Sequence, residues 1–393
     1  MQIRKLIFLL FLLLQVGIAS AQQGFTYDEV NNKSYELYQK ASWKELMQYG
    51  KEAVTNGQDF LLLRLRMGYA AFNLNDFSQA LKQYTKVIHF DKYNETAHYY
   101  SWLCLTYLNQ SELAGAHVKY FSKDLQTKEK LHSIAFTSMG IESSYKVTDL
   151  TTRGNAFYAR LDLQNRWNWN IYMDQGATMF NQAINERALF SVVNNRSIAI
   201  NQKEYYNRLT INLSSRLQLK TAYHYIYTPF NNLIYQNHAG LAGLRYHGNY
   251  FNVQADVIVA RVTDSIQQQY NLQLGLYPFG NLNLYSFSTA MFRNRENTSG
   301  FNFKQVIGVK LLKNIWLEGN ATLGSFNNLF ENDALYLYNA IDKNKIKAGA
   351  LLYLAIGSKL IAQAGYTFEQ REIYKTINTF NQHSITGGLS WKF

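Results

Sequence analysis

The spacing of apolar residues changes once along the chain, near residue 131. Before that point it is helical, and it recurs every 34 residues, so that 27–60, 61–94 and 95–128 align without a gap. Matching columns hold Leu46, Ala80 and Ala114, then Gly50, Tyr84 and Val118, then Ala53, Val87 and Phe121. Each copy is predicted to be a helix hairpin. Ala80 and Ala114 allow close helix approach, Trp43 and Phe77 wedge beside the turn, and the next hairpin covers what one cannot bury. From 132 onward apolar and polar residues alternate, which places them on opposite faces of a strand. Fourteen such stretches are predicted, from 133–146 to 382–393.

The connections between these stretches sort by length. The tight ones are predicted at 167–168, 215–216, 248–249, 279–280, 313–314 and 357–358. They alternate with longer links at 147–154, 182–203, 230–236, 263–266, 294–300, 327–344 and 374–381. An even number of strands with short turns at one end and longer links at the other is the pattern of a transmembrane barrel. The predicted fold is therefore α + β and multidomain: a helical repeat domain over 22–131 and an antiparallel barrel of about 14 strands over 132–393.

The N-terminus fits that destination. Arg4 and Lys5 precede an apolar run from Leu6 to Leu14, and Ala19-Ser20-Ala21 completes a secretory leader over residues 1–21. No later run is apolar enough for a membrane helix, but a barrel strand needs only about 10 alternating residues. The composition has 30 Tyr, 24 Phe, only 2 Pro and 17% charged residues, as aromatic girdles and uninterrupted strands require. The single Cys104 excludes an intrachain disulfide and reads as a small buried residue.

Charge is uneven. Residues 22–131 hold 13 Lys and Arg against 12 Asp and Glu, a net of +1, whereas 132–393 hold 24 against 15, a net of +9. Nucleic acid is a poor partner for an exported chain. Anionic lipid headgroups or an anionic solute fit better. Strand parity assigns the charges to a lumen. Leu209, Ile211 and Leu213, then Val253, Ala255, Val257 and Val259, then Ile307, Val309 and Leu311 face lipid. Their alternates point inward, giving Arg208, Asp256, Lys304 and Lys310 as lumen-facing candidates. Arg160, Asp162, Arg166, Lys220, His224, Arg245, Glu318, Lys347, Glu369 and Arg371 follow by the same parity. This inward set has 9 cations against 4 acids, which favours anions unless the charges pair into a plug. Tyr223, Tyr225 and Tyr227 read as girdle, and Arg293 and Arg295 as rim charge within reach of lipopolysaccharide phosphates.

The chain has no G-x-S-x-G, H-E-x-x-H, C-x-x-C or phosphate-binding glycine loop, so neither an enzyme nor a cofactor or metal is expected. In the last stretch Ile385, Gly387, Leu389, Trp391 and Phe393 share one face, opposite Ser384, Thr386, Gly388, Ser390 and Lys392. A terminal aromatic closing such a strand resembles the C-terminal signature of bacterial outer-membrane barrels. The resemblance implies that the barrel assembly machinery reads Leu389, Trp391 and Phe393.

The 34-residue repeat resembles the tetratricopeptide repeat. It departs at the proline that usually ends a copy, where Gln58, Lys92 and Gln126 stand. Such repeats imply a concave face for a protein partner in the periplasm. In its order of domains the chain resembles YaiO-like outer-membrane proteins and, with far fewer repeats, the exporters of poly-N-acetylglucosamine and cellulose. Its abundance of Asn, Tyr and Phe resembles Bacteroidota envelope proteins. These resemblances imply an outer-membrane location with the repeats in the periplasm, and they name no site residue. Two functions remain open. One is a pore or exporter for a polar or anionic solute or polysaccharide. The other is a non-conducting anchor whose repeats hold a secretion, assembly or envelope complex.

Overall fold

A computed structural model describes residues 25–185, 197–230, 233–296, 298–338 and 341–393. The leader expected over 1–21 and half of the link expected over 182–203, residues 186–196, lie outside them.

Seven helices come first: α1 Tyr27–Gln39, α2 Trp43–Thr55, α3 Leu61–Asn73, α4 Phe77–Phe90, α5 Glu95–Tyr107, α6 Ser111–Val118 and α7 Lys123–Lys128. The odd-numbered helices α1, α3 and α5 start at 27, 61 and 95, and α2, α4 and α6 at 43, 77 and 111, so each copy is one hairpin. The hairpin turns use one repeat column, Ala41, Asn75 and Asn109, with φ of +52°, +59° and +56°. Asparagine tolerates that left-handed region, and Ala41 adopts it at a cost of about 1–2 kcal/mol. Side-chain caps from Thr26, Asp76 and Asn94 open α1, α4 and α5.

All nine column residues named above are buried. The helices close on one another where side chains are missing: a Cβ on Gly50 would lie 2.6 Å from the Met67 sulfur. Cys104 is buried in the same core, and burial raises its thiol pKa. His98 and His117 form a buried pair, Nδ1 to Nδ1 at 3.0 Å. His98 Nε2–H donates to the Lys92 carbonyl at 2.9 Å, so its Nδ1 accepts and His117 Nδ1–H donates. Burial, aided by His98 and Lys119, pushes His117 down to about 3, and burial also lowers His98.

The barrel begins with β1 Ala135–Thr148, β2 Arg153–Asn168, β3 Ile171–Asn185, β4 Ser197–Asn212 and β5 Leu217–Phe230. It continues through β6 Leu233–His247, β7 Phe251–Val262, β8 Ser265–Leu276, β9 Leu284–Arg295, β10 Thr298–Leu312 and β11 Ile315–Leu323. A short hairpin, β12 Phe330–Glu331 and β13 Tyr336–Leu337, stands apart from the wall. The wall ends with β14 Lys343–Ile356, β15 Leu360–Glu372 and β16 Thr379–Lys392. Each wall strand pairs antiparallel with its neighbours. β11 pairs with β14, and β16 closes on β1 through Ile141 opposite Leu389 and Met139 opposite Trp391. The closed sheet therefore has 14 strands.

Closure leaves no unpaired sheet edge, as a membrane-spanning sheet requires. Ile385, Leu389 and Trp391 are exposed on the outside, while Gln382 and Ser384 are buried inside. Val259, Ile307 and Leu311 are likewise exposed outward, and Tyr223, Tyr225 and Tyr227 keep the outward parity of β5. No described helix is long and apolar enough to cross a membrane.

Four connections differ from expectation. The links expected to be longer at 230–236, 263–266 and 294–300 each leave only two residues between strands, and in the second Thr263 and Asp264 are both left-handed at φ +47° and +64°. The turn expected at 279–280 is instead a longer link between Leu276 and Leu284. Its length has a use, because it docks the helical domain. The Gly280 carbonyl accepts from Ser78 N at 3.1 Å, and Asn281 Nδ2 donates to the Asn75 carbonyl at 2.9 Å.

Candidate functional site: an occupied and capped lumen

The link between β11 and β14 folds back into the barrel. Phe330 and Ala334 pack against inward-facing Ala239, Leu241, Ile258, Ala260 and Val262 on β6 and β7. Phe326 and Leu329 pack against Met291. Barrel side chains satisfy the loop's backbone. Gln269 exchanges two hydrogen bonds with Phe330, at 2.7 and 3.1 Å, and Gln267 Nε2 donates to the Asn328 carbonyl at 2.7 Å. Tyr206 OH donates to the Asp333 carbonyl at 2.8 Å.

The loop's acids meet the wall's cations. Glu331 pairs with Lys304 at 2.7 Å and with Lys347 at 3.1 Å. Asp333 pairs with Arg208 at 2.7 Å and Lys220 at 2.8 Å, and accepts from Gln254 at 2.6 Å. Asp342 receives Arg153 at 2.6 Å. Pairs this enclosed are strongly destabilising to break from one side, because a buried charge is then left uncompensated.

The helical domain closes the end where Leu217 and Phe393 lie. The first turn of α6 inserts Glu112, which accepts from Arg208 Nη2 at 2.9 Å and Gln164 at 3.2 Å. Asn212 Nδ2 donates to the Glu112 carbonyl at 2.6 Å, Gln110 meets His247 at 3.1 Å, and Tyr250 OH donates to Asp76 at 2.9 Å. Gly115 permits the approach: a Cβ there would lie 2.4 Å from the Trp169 carbonyl oxygen. Burial acts to raise the Glu112 carboxyl, but Arg208, Lys220 and Arg245 outweigh it and hold the pKa below the ordinary carboxylate value. Arg208 is thus the hub. It touches Asp174 on β3 at 2.8 Å, Asp333 on the loop and Glu112 on the cap.

The other sequence-derived candidates are distributed as follows. Arg160 pairs with Asp162 at 2.8 Å and lies over Tyr336, 4.8 Å from the ring centre. Glu369 pairs with Arg371 at 3.1 Å, Glu318 accepts from Tyr285 at 3.0 Å, and Lys310 lies over Trp316 at 4.9 Å. Arg245 donates to Gln273 at 3.2 Å, and Asp256 accepts from Gln254 at 2.9 Å and Asn271 at 2.6 Å. His224 bonds the Ala334 carbonyl at 2.8 Å. Arg166 has inward parity but sits at the rim, where it binds the His132 carbonyl and stacks on Trp169 at 4.6 Å. It belongs to the closed end and not to the cavity wall, since its guanidinium turns to the His132 carbonyl and Trp169. Arg293 turns to the Asn327 and Ser325 carbonyls, and Arg295 to the Val262 carbonyl, so these guanidinium groups brace loops. At the C-terminus Leu389 and Trp391 hold the closing seam, and Phe393 N donates to the Thr137 carbonyl at 3.1 Å.

The sequence did not show that Glu112, Glu331 and Asp333 complete this cluster. They lie in a helix and a long link, and no spacing in the chain ties either to the wall. Space remains beside the loop. A cavity of about 1940 Å³ is lined from Asn75 and Ser358 at the capped end to Arg295 and Tyr374 at the other. Its walls include Tyr158, Tyr285, Trp316 and Tyr353 with the amides of Asn320 and Gln363. Among the described residues no cluster of His, Cys, Asp and Glu could hold a metal.

No protein-family model matches the chain, and no curated protein matches it. Solved structures similar to it include a bacterial polysaccharide outer membrane secretin (8% identity, TM-score 0.41, 67% of this chain and 99% of that one). The Pseudomonas putida toluene transporter TodX matches at 7% identity and TM-score 0.44, over 71% of this chain and 91% of that one. The NanC porin matches at 8% identity and TM-score 0.36, over 65% and 100%. Overlaps at this level carry no functional argument, and the fold rests on the strand pairing described above.

Proposed function

We propose that the protein is an outer-membrane β-barrel channel for a polar solute, gated by its own 324–338 segment and capped from the periplasm by its helical repeats. One observation carries this reading: the cavity of about 1940 Å³ that runs beside the loop, with lining residues at both ends of the barrel. The leader and the C-terminal strand support an outer-membrane location and assembly through Leu389, Trp391 and Phe393. The 34-residue hairpins with buried columns support a tetratricopeptide repeat. Arg208, Lys220, Lys304 and Lys347 already face Glu112, Glu331 and Asp333, so their pairing weakens the case for a simple anion pore. Aromatic faces interleaved with amides suit an uncharged or charge-balanced polar solute, glycans included.

The test is single-channel conductance of the full chain in a planar bilayer, alone and with Asp333→Ala plus Glu331→Ala. Opening events that become more frequent in the variant support the channel. Silence in both removes it. A second reading has its own observation: Tyr27, Tyr35 and Tyr93 are exposed on the docked helical domain, a surface available to a periplasmic protein. In that reading the barrel is an anchor, and a partner should be recovered with the full chain even when the barrel is silent.

A further inference from the structure

Within the cavity one patch of wall differs from the rest. On β6, β7 and β8, inward rows place Gly243 opposite Asp256 and Asn271, Arg245 opposite Gln254 and Gln273, and Asn252 opposite Gly275. Arg245 and Asp256 are thus diagonal neighbours, typically about 7–8 Å apart at Cα. They do not pair. Arg245 reaches across to Gln273 at 3.2 Å, and Asp256 is held by Gln254 at 2.9 Å and Asn271 at 2.6 Å. Among the described residues neither enters an ion pair, whereas the neighbouring Arg208, Lys220, Lys304 and Lys347 all do.

The wall beside this pair is close-packed. Gly243 and Gly275 both have inward parity, and a Cβ on Gly243 would lie 2.5 Å from the Asp256 Cβ and one on Gly275 2.6 Å from Asn252 Oδ1, so the glycines let Asp256 and Asn252 pack flat against the wall. Two buried acceptors flank the pair. Gln254 Nε2 donates to Asp256 and Asp333, which fixes its Oε1 as an acceptor. Asn252 Nδ2 donates to Tyr277 OH at 3.1 Å, which leaves Oδ1 as its acceptor. Both residues are 2% exposed, and neither oxygen has a partner, nor does Arg245 Nε. Arg245, Asp256, Gln254 and Asn252 all line the cavity.

We propose that this stretch of cavity wall binds a small zwitterion of the α-amino-acid type. Its carboxylate sits on Arg245, and its ammonium on Asp256 with the oxygens of Gln254 and Asn252. A simple anion meets Asp256, and a simple cation meets Arg245, so either leaves one enclosed charge uncompensated. A zwitterion satisfies both and adds no net charge to the cluster around Arg208. The site rests on the channel reading for its access, since the ligand arrives through the lumen.

Calorimetric titration of the full chain in detergent micelles tests it, with L-alanine, acetate, methylammonium and glucose as probes. L-Alanine should bind at least tenfold more tightly than acetate or methylammonium, and glucose should not compete. Arg245→Met and Asp256→Asn, checked for the compact band of a folded barrel in unheated gels, should each weaken L-alanine at least tenfold. L-Alanine binding no tighter than acetate overturns the proposal, as does binding unchanged in both variants. If the variants do not fold, the wild-type comparison of the four probes decides. Conductance separates this site from the channel reading. Binding of L-alanine by a barrel that never opens keeps the site and removes the channel, whereas an open channel indifferent to L-alanine keeps the channel and removes the site.

Discussion

Replacing Asp333 by alanine tests whether the loop is held in the lumen chiefly by charge. Asp333 accepts from Arg208 at 2.7 Å, Lys220 at 2.8 Å and Gln254 at 2.6 Å. Arg208 keeps Asp174 and Glu112 when Asp333 is gone, but Lys220, only 2% exposed, loses its one ion-pair partner among the described residues. Removing one side of such a pair costs about 3–5 kcal/mol. The loop retains Glu331 on Lys304 and Lys347, together with Phe330, whose burial contributes about 1.5–3 kcal/mol. The loop should therefore stay inside most of the time, with its open population raised by about two to three and a half powers of ten. Hydrogen exchange at the Phe330 amide, which donates to Gln269 in the closed state, reads that population directly. Asp264→Ala is the control, because its pair with Arg261 is largely exposed and screened. Exchange at Phe330 that matches the control would refute the charge anchor and leave the apolar seat as the holding force.

Further outcomes follow from the cap, the histidine pair and the seam. Glu112→Gln should loosen cap docking by about 1.5–3 kcal/mol, the range of a charge-assisted hydrogen bond, seen as faster exchange over 108–118. Because the folded Glu112 pKa is depressed, docking is complete above the ordinary carboxylate range and is lost as pH falls through the folded value. Gly115→Ala should undock the cap without touching a charge, since its Cβ meets a backbone oxygen; unchanged exchange over 108–118 would show that the domains can shift to accept it. Unfolded histidine protonates near 6.5 but His117 resists until about 3, so the repeats should lose about 1.4 kcal/mol per pH unit between those values on acidification. Melting followed by circular dichroism at 222 nm checks this, and a midpoint flat from pH 7 to pH 4 contradicts it. Deleting Phe393 removes a largely exposed side chain and one backbone bond to Thr137, so refolding into detergent should be nearly unchanged while insertion in cells falls. Equal insertion in cells would show that the terminal aromatic is not read.

Local periodicity carries an element's identity because it records which face each residue presents. The 34-residue period therefore matches the helix starts at 27, 61 and 95, whereas only the structure shows that the column Ala41, Asn75 and Asn109 turns left-handed. Alternation likewise marked the 14 wall strands and their two faces, since lipid and lumen impose opposite demands on successive residues. Turn length was less legible. The links at 230–236, 263–266 and 294–300 read as long because their polar residues continue the strands instead of leaving them, and the stretch from 277 to 283 docks on a partner about 200 residues earlier in the chain.

What occupies the lumen was beyond the sequence. Parity could say that Arg208, Lys220, Lys304 and Lys347 point inward, and it implied a basic interior. The acids that answer them, Glu112, Glu331 and Asp333, come from a helix and a loop whose positions are fixed only when the barrel closes and the cap docks. A side chain's direction follows from its own strand, whereas its partner depends on which distant segment fills the space before it. The sequence by itself determined the two domains and the inner and outer faces of the wall. Tertiary packing alone decided that the interior is charge-paired, that Arg208 joins wall, loop and cap, and that Arg245 and Asp256 remain unpaired beside the cavity.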